Sequence, residues 1–156
     1  MTDRWAVSAH DESQSAEWGP PVGVDGISSP AAGASDEIPL AALVAAEAAD
    51  EKLGRDTVVL AMGEFLAVLD AFVVTSGRNG RQVNTLVEEI EARVKEVTGQ
   101  RPVRMEGVRD GTWVLMDYGD FIVHVFLDEV RHFYDLEHLW SSAPRVPWRE
   151  ARRSLR

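Results

Sequence analysis

Apolar residues along this chain alternate between two spacings. Over residues 81–98, Val83, Leu86, Val87, Ile90, Val94 and Val97 recur at intervals of three and four. That pattern puts them on one stripe of a helix. On the outer surface, Glu89 precedes Arg93 by four residues and Glu91 precedes Lys95 by four, pairs that support a helix. Gly99 is a plausible terminator. TVVLAM (57–62) and DAFVVTS (70–76) are instead short β-branched runs bounded by turn residues, and they predict strands. Gly63 and Glu64 make the turn between them, although FLAVL (65–69) can also extend the second strand backwards.

Upstream, SDEIPLAALVAAEAADEKLG (35–54) carries a helix start and stop. Ser35 or Asp36 can cap it, Pro39 suits a first turn and Gly54 can end it. Leu40, Leu43, Val44 and Leu53 lie roughly on one face, with Ala filling the rest. Downstream come RPVRMEG (101–107), the hairpin signal Asp110-Gly111, and two strands within DGTWVLMDYGDFIVHVF (110–126). Asp128 then caps a last helix through EVRHFYDLEHLW. The predicted order is α-β-β-α-β-β-β-α. This is an α/β fold: a single mixed β-sheet of about five strands covered by helices.

Composition sharpens this picture in three places. The 156 residues suit one domain, and there are no cysteines, which excludes disulfides, a thiol nucleophile and thiolate metal sites. No apolar run approaches the ~18 residues that would span a bilayer, and residues 1–18 show neither a positive n-region nor an apolar h-region, so secretion is not expected. A cytoplasmic protein is expected. The net charge of −10 is uneven. Residues 1–38 sum to −6, residues 39–144 to −8 and residues 145–156 to +4. An acidic body argues against broad phosphate-backbone binding and suits a basic protein partner. Gly, Pro, Ser and Ala make up 13 of the 17 residues 19–35, so 1–37 are expected to form a disordered acidic extension. Trp5 and Trp18 lie within it as isolated aromatics. Residues 38–144 form the folded domain, and 145–156 an Arg-rich tail, solvated or in minor contact with RNA.

Few residues promise chemistry. Asp117 and Asp120 flank Tyr118-Gly119 and could hold Mg²⁺ for phosphoryl transfer. Yet a spacing of three does not put them on one strand face, and Asp at a turn serves local backbone hydrogen bonds. TSGRNGRQV (75–83) resembles an anion-binding loop ahead of a helix, but it has no Walker Lys-Ser/Thr and no GxGxxG. A tight connection with Asn79 as helix cap is preferred. His132 and His138 are six apart and fall on different helical faces, whereas His124 sits mid-strand and reads as a hydrogen-bonded structural histidine. Ser76 has no evident His-Asp pair, so a hydrolase triad has no support. Trp113 shares a strand face with Leu115 and Asp117, and Val114, Met116 and Tyr118 share the other. If helices cover only the Val114 side, Trp113 lies on an open face near acids, as an interface anchor would. If helices cover both, it is core. Periodicity leaves both readings standing.

The segments AAEAADEKLGRD (45–56), DAFVVTSG (70–77), RQVNTLVEEIE (81–91), EGVRDGTWVLMDYGDFIVHVF (106–126) and RHFYDLEHLW (131–140) together resemble the ribosomal silencing factor family, also called Iojap-like proteins. The resemblance spans about Leu40 to Trp140. It implies a nucleotidyltransferase-like fold without that activity, no cofactor, and a homodimer off the ribosome. It also implies binding to the large ribosomal subunit through its fourteenth protein, which blocks joining of the small subunit and represses translation when nutrients are short. Carried over by position, the partner-binding patch falls on Trp113, Asp117, Tyr118, Gly119 and Asp120, with Glu106 and Gly107 as neighbours. Trp113 is then an anchor, and the acids pair with cations rather than catalyse. The Arg78-Asn79-Gly80 loop departs from the family pattern. The alternative is a metal-dependent nucleotidyltransferase using Asp117 and Asp120; a second motif acid near Ser76-Gly77 is missing for it.

Overall fold

A computed structural model describes residues 38–66 and 68–155. The expected extension over 1–37 and a cap at Ser35 or Asp36 lie outside the described residues. In chain order the elements are α1 (Leu40–Glu51), β1 (Arg55–Ala61), β2 (Ala71–Gly77), α2 (Gly80–Thr98), β3 (Arg104–Glu106), β4 (Trp113–Asp117), β5 (Phe121–Leu127), α3 (Asp128–Tyr134), α4 (Leu136–Leu139) and α5 (Trp148–Ser154). The strands form one sheet in the order β1-β2-β5-β4-β3. β2 and β5 run parallel and the other pairs antiparallel, so the sheet is mixed, as the pattern predicts.

The periodic stripe becomes α2. Val83, Leu86, Val87, Ile90 and Val94 are buried, while Val97 in the last turn is exposed. Asn79 caps the helix by accepting the Gln82 amide at 2.9 Å, which satisfies one of its open N–H groups. Gly99 closes it in the left-handed conformation. In the first helix Leu43 and Val44 are buried as their spacing predicts, whereas Leu40 is 39% exposed and Leu53, past the helix end, is 71% exposed. Ala41, Ala42, Ala45, Ala46, Ala48 and Ala49 are buried as well. α1 is enclosed by α2, α5 and the sheet, and only small side chains let neighbours approach from several directions.

Downstream, Gly63 and Glu64 lie in a turn as expected, and the alternative that FLAVL extends β2 is not realised. Phe65 and Leu66 turn back instead, their amides meeting the Met62 carbonyl at 2.9 and 3.0 Å, and both side chains pack on the sheet. The single helix expected over 128–140 breaks at Asp135, whose φ is +49°. Leu127, not Asp128, occupies its N-cap. The break redirects the chain so that Leu136 and Trp140 bury against the sheet. Finally, the Arg-rich end is not a solvated tail. It folds as α5, with Trp148 buried in the main core. Its Nε1 donates to the Thr57 carbonyl at 3.0 Å. Arg149 pairs with Asp50 at 2.7 Å and Arg152 with Glu47 at 3.0 Å. Two arginines of this segment are thus paired with acids of α1. The segment leading into α5 also covers the β1 edge, where Ala61 donates to Pro144 and Val146 to Val59. A covered edge cannot template pairing with another chain.

Candidate functional site

The turn between β4 and β5 is built by its own residues. Gly119 adopts a φ of +97°, which glycine takes without strain. Asp117 Oδ1 accepts the Gly119 amide at 2.8 Å, the local bond that Asp offers at turns. Tyr118 donates its amide to the Phe121 carbonyl at 3.0 Å. Asp120 flanks the turn, and its carbonyl takes the Asp70 amide at 2.7 Å. The register places Arg104 opposite Asp117 and Glu106 opposite Leu115, so these four side chains share one sheet face. There Arg104 lies 3.3 Å from Glu106 Oε2 and 3.5 Å from Asp117 Oδ2. The acids therefore sit at a sheet corner, partly compensated by one arginine.

The aromatic members lie beneath this surface. Trp113 is 5% exposed, which corrects the open-face reading. Its face of the sheet is covered by Phe65 and Leu66 from the segment after β1, by Tyr134 of α3 and Leu136 of α4, and by Trp140 just after α4. The indole N–H donates to His124 Nδ1 at 3.1 Å, and its rings pack 4.7 Å from Phe126 and 4.8 Å from Tyr134. His124 is fully buried, and burial lowers its pKa to about 3. Its reading as a structural histidine matches this position. Tyr118 is buried toward α2 and stacks on Phe121 at 4.7 Å. Burial, with Glu91 nearby, pushes its hydroxyl pKa upward. Gly107 is also buried, with a φ of +83°, and a Cβ there would stand 2.0 Å from the Trp113 carbonyl oxygen. The seven expected site residues thus divide: Glu106, Asp117, Gly119 and Asp120 reach the surface to different degrees, while Gly107, Trp113 and Tyr118 shape it from below.

A second polar cluster escaped the sequence reading. At the C-terminal ends of β2 and β5, Ser76 Oγ meets Asp128 Oδ1 at 3.2 Å and accepts from Arg131 Nη1 at 3.1 Å. Arg131 is buried. It also donates to the carbonyls of Arg55 and Asp56 and grips Glu137 through Nε and Nη2 at 3.0 and 2.9 Å. Asp128, Arg131 and Glu137 border a cavity of about 570 Å³. Ser76 is engaged by a carboxylate and a guanidinium, and the guanidinium is fully committed to holding three segments together. The only hint in the sequence was a lone arginine within an aromatic run. Among the described residues, no three His, Asp or Glu side chains are grouped to hold a metal ion, and no helix is long and apolar enough to cross a membrane.

Comparison with known proteins gives likenesses in both sequence and fold. A family model described as "Ribosomal silencing factor during starvation" matches residues 35–155, running past the boundary expected at 144 and including α5. Ribosomal silencing factor RsfS of Bacillus subtilis is 39% identical over 101 residues, 65% of this chain and 85% of that one. "Mitochondrial assembly of ribosomal large subunit protein 1" of Mus musculus is 29% identical over 89 residues, 56% of this chain and 39% of that one. The crystal structure of a Chromobacterium violaceum protein superposes with a TM-score of 0.62 at 34% identity, covering 67% of this chain and 88% of that one.

Proposed function

The chain belongs to the ribosomal silencing factor family, and on that premise we propose that it binds the large ribosomal subunit at its intersubunit face and blocks joining of the small subunit. A ribosome-associated silencing role follows from the family itself. The finer reading places the partner at the fourteenth large-subunit protein and the contact at the β4–β5 turn. The observation that carries it is the acidic corner where Asp117 ends β4, Asp120 follows in the turn and Glu106 lies on the neighbouring strand, each at least partly exposed. Carboxylates there select and steer a cationic partner. Trp113, Tyr118, Gly107 and Gly119 serve the patch by fixing its shape. Minor contact with ribosomal RNA and a cytoplasmic location belong to the same proposal.

The role is non-catalytic in this reading. Asp117 Oδ1 is taken by the turn amide, which favours a docking surface over a metal-bound acid. Off the ribosome the protein is a homodimer. Phe133 is 77% exposed and Leu139 lies exposed nearby in sequence, an apolar surface that a second copy would cover. Trp140 is buried and takes no part in that surface. Light scattering at tens of micromolar (about usual assay concentration) checks the dimer, since a ~micromolar constant is about 8 kcal/mol.

Co-sedimentation with isolated large subunits, followed by addition of small subunits, tests the whole reading. Wild-type protein is expected to travel with the large subunit and reduce rejoining, and Asp117→Lys to do neither well. Protein that stays at the top of the gradient would refute it.

A further inference from the structure

Two arginines of this protein hold carboxylates in contrasting ways. Arg131 is buried and grips Glu137 through two nitrogens while donating to two backbone carbonyls. Arg104 is 58% exposed and offers one nitrogen to each of two acids, 3.3 Å from Glu106 and 3.5 Å from Asp117. These separations exceed the roughly 2.7–2.9 Å of a well-formed charge-assisted bond. The acids, by contrast, are held by the fold, their side chains 14% and 22% exposed. Asp117 is further pinned by the Gly119 amide. Fixed anions are therefore covered by a long cation that reaches them from solvent.

We propose that Arg104 is an internal counter-ion, displaced from Glu106 and Asp117 by a cationic side chain of the ribosomal partner during docking. The inference rests on the proposed role of the β4–β5 patch in binding the ribosome. In the free protein Arg104 cancels one negative charge at the corner, which weakens the attraction for unmatched basic proteins. A partner that presents two donors to a carboxylate in good geometry outcompetes the single long contacts, because short bidentate charge-assisted bonds are the stronger kind. Arg104 then returns to water, where its charge is fully solvated. Selectivity comes from this exchange, since a partner must do better than the residue already present.

The measurement is the association rate of purified protein with isolated large ribosomal subunits at low and ~0.15 M salt, where screening acts over about 8 Å. Arg104→Gln is expected to associate about threefold to tenfold faster at low salt, with a steeper loss on adding salt. Arg104→Lys keeps the charge and is expected to stay near wild type. Arg81→Gln makes the same change in net charge on exposed α2 and is expected to leave the rate unchanged. Thermal melting of Arg104→Gln is expected to match wild type. Unchanged or slower association of Arg104→Gln overturns the inference, as does an equal gain in Arg81→Gln. Asp117→Asn in the same assay separates the two layers. If it loses binding while Arg104→Gln gains nothing, only the counter-ion role falls. If it binds like wild type, the patch falls too.

Discussion

Trp113 Nε1 donates a 3.1 Å hydrogen bond to Nδ1 of His124, and both rings are buried on the same face of the sheet. Trp113 pairs with Phe126 and Leu115 with His124 in the β4–β5 register, so the two side chains are diagonal neighbours across the strands. The bond requires an unprotonated Nδ1, which makes the neutral Nε2–H form of His124 the native one.

That requirement sets a pH dependence. The folded pKa of His124 is lowered to about 3 from an ordinary 6.5 by burial. Below about pH 6.5 the unfolded chain binds a proton that the folded chain refuses, so stability falls as pH falls. The slope is about 1.4 kcal/mol per pH unit down to about pH 3. Chemical denaturation across pH 7 to 4 is expected to show this loss in wild type and a shallower one in His124→Gln. Parallel slopes would show that His124 is protonated in the folded state.

Trp113 is expected to respond as a core residue. Trp113→Glu places an unpaired charge under α3 and α4 and is expected to abolish cooperative melting. Trp113→Phe retains most of the packing but removes the donor to His124, at about 1–3 kcal/mol. A folded Trp113→Glu protein, seen by near-UV circular dichroism, would contradict this burial.

Gly107 and Gly99 both have positive φ, yet they are expected to tolerate alanine differently. At Gly99 a Cβ meets nothing within 4 Å, so Gly99→Ala carries only the left-handed penalty of about 1–2 kcal/mol. At Gly107 the Cβ also collides with the Trp113 carbonyl oxygen. Gly107→Ala is expected to lose more stability and to displace the β3–β4 loop, visible as amide shifts at Trp113 and Val114. Equal urea midpoints for the two variants would rule out the collision.

The C-terminal helix is expected to contribute to global stability. Trp148→Ala removes a buried indole and its bond to Thr57, at about 3–5 kcal/mol. Arg152→Ala removes a mostly buried pair with Glu47, at about 1–3 kcal/mol for a hydrogen bond to a charged group. Urea unfolding checks both, and a neutral Trp148→Ala would mean that α5 is undocked in solution.

Residues 1–37 are expected to be dispensable for ribosome binding, because their composition is too poor in apolar residues to build a packed interface. Full-length protein and a chain beginning at residue 38 are expected to co-sediment equally with large subunits. Lost binding on truncation would make the extension a docking element.

The sequence by itself determined the elements whose signals are local. The period of Val83 to Val94 specified α2, Asn79 and Gly99 its ends, and the β-branched runs the central strands. Alternation along 113–118 also assigned Val114, Met116 and Tyr118 correctly to one face. The quoted segments were specific enough to indicate the family. What alternation could not decide is whether the opposite face has a cover. Phe65, Leu136 and Trp140 supply that cover from outside the strand, and only their arrival makes Trp113 core instead of anchor. The Arg-rich end posed the same problem at longer range, since its acidic partners lie 99 and 105 residues upstream. Periodicity and composition report what a segment wants to bury or expose. Which distant segment meets that demand is decided by chain topology, and so were the second core, the docking of α5 and the seating of Arg104 between two acids.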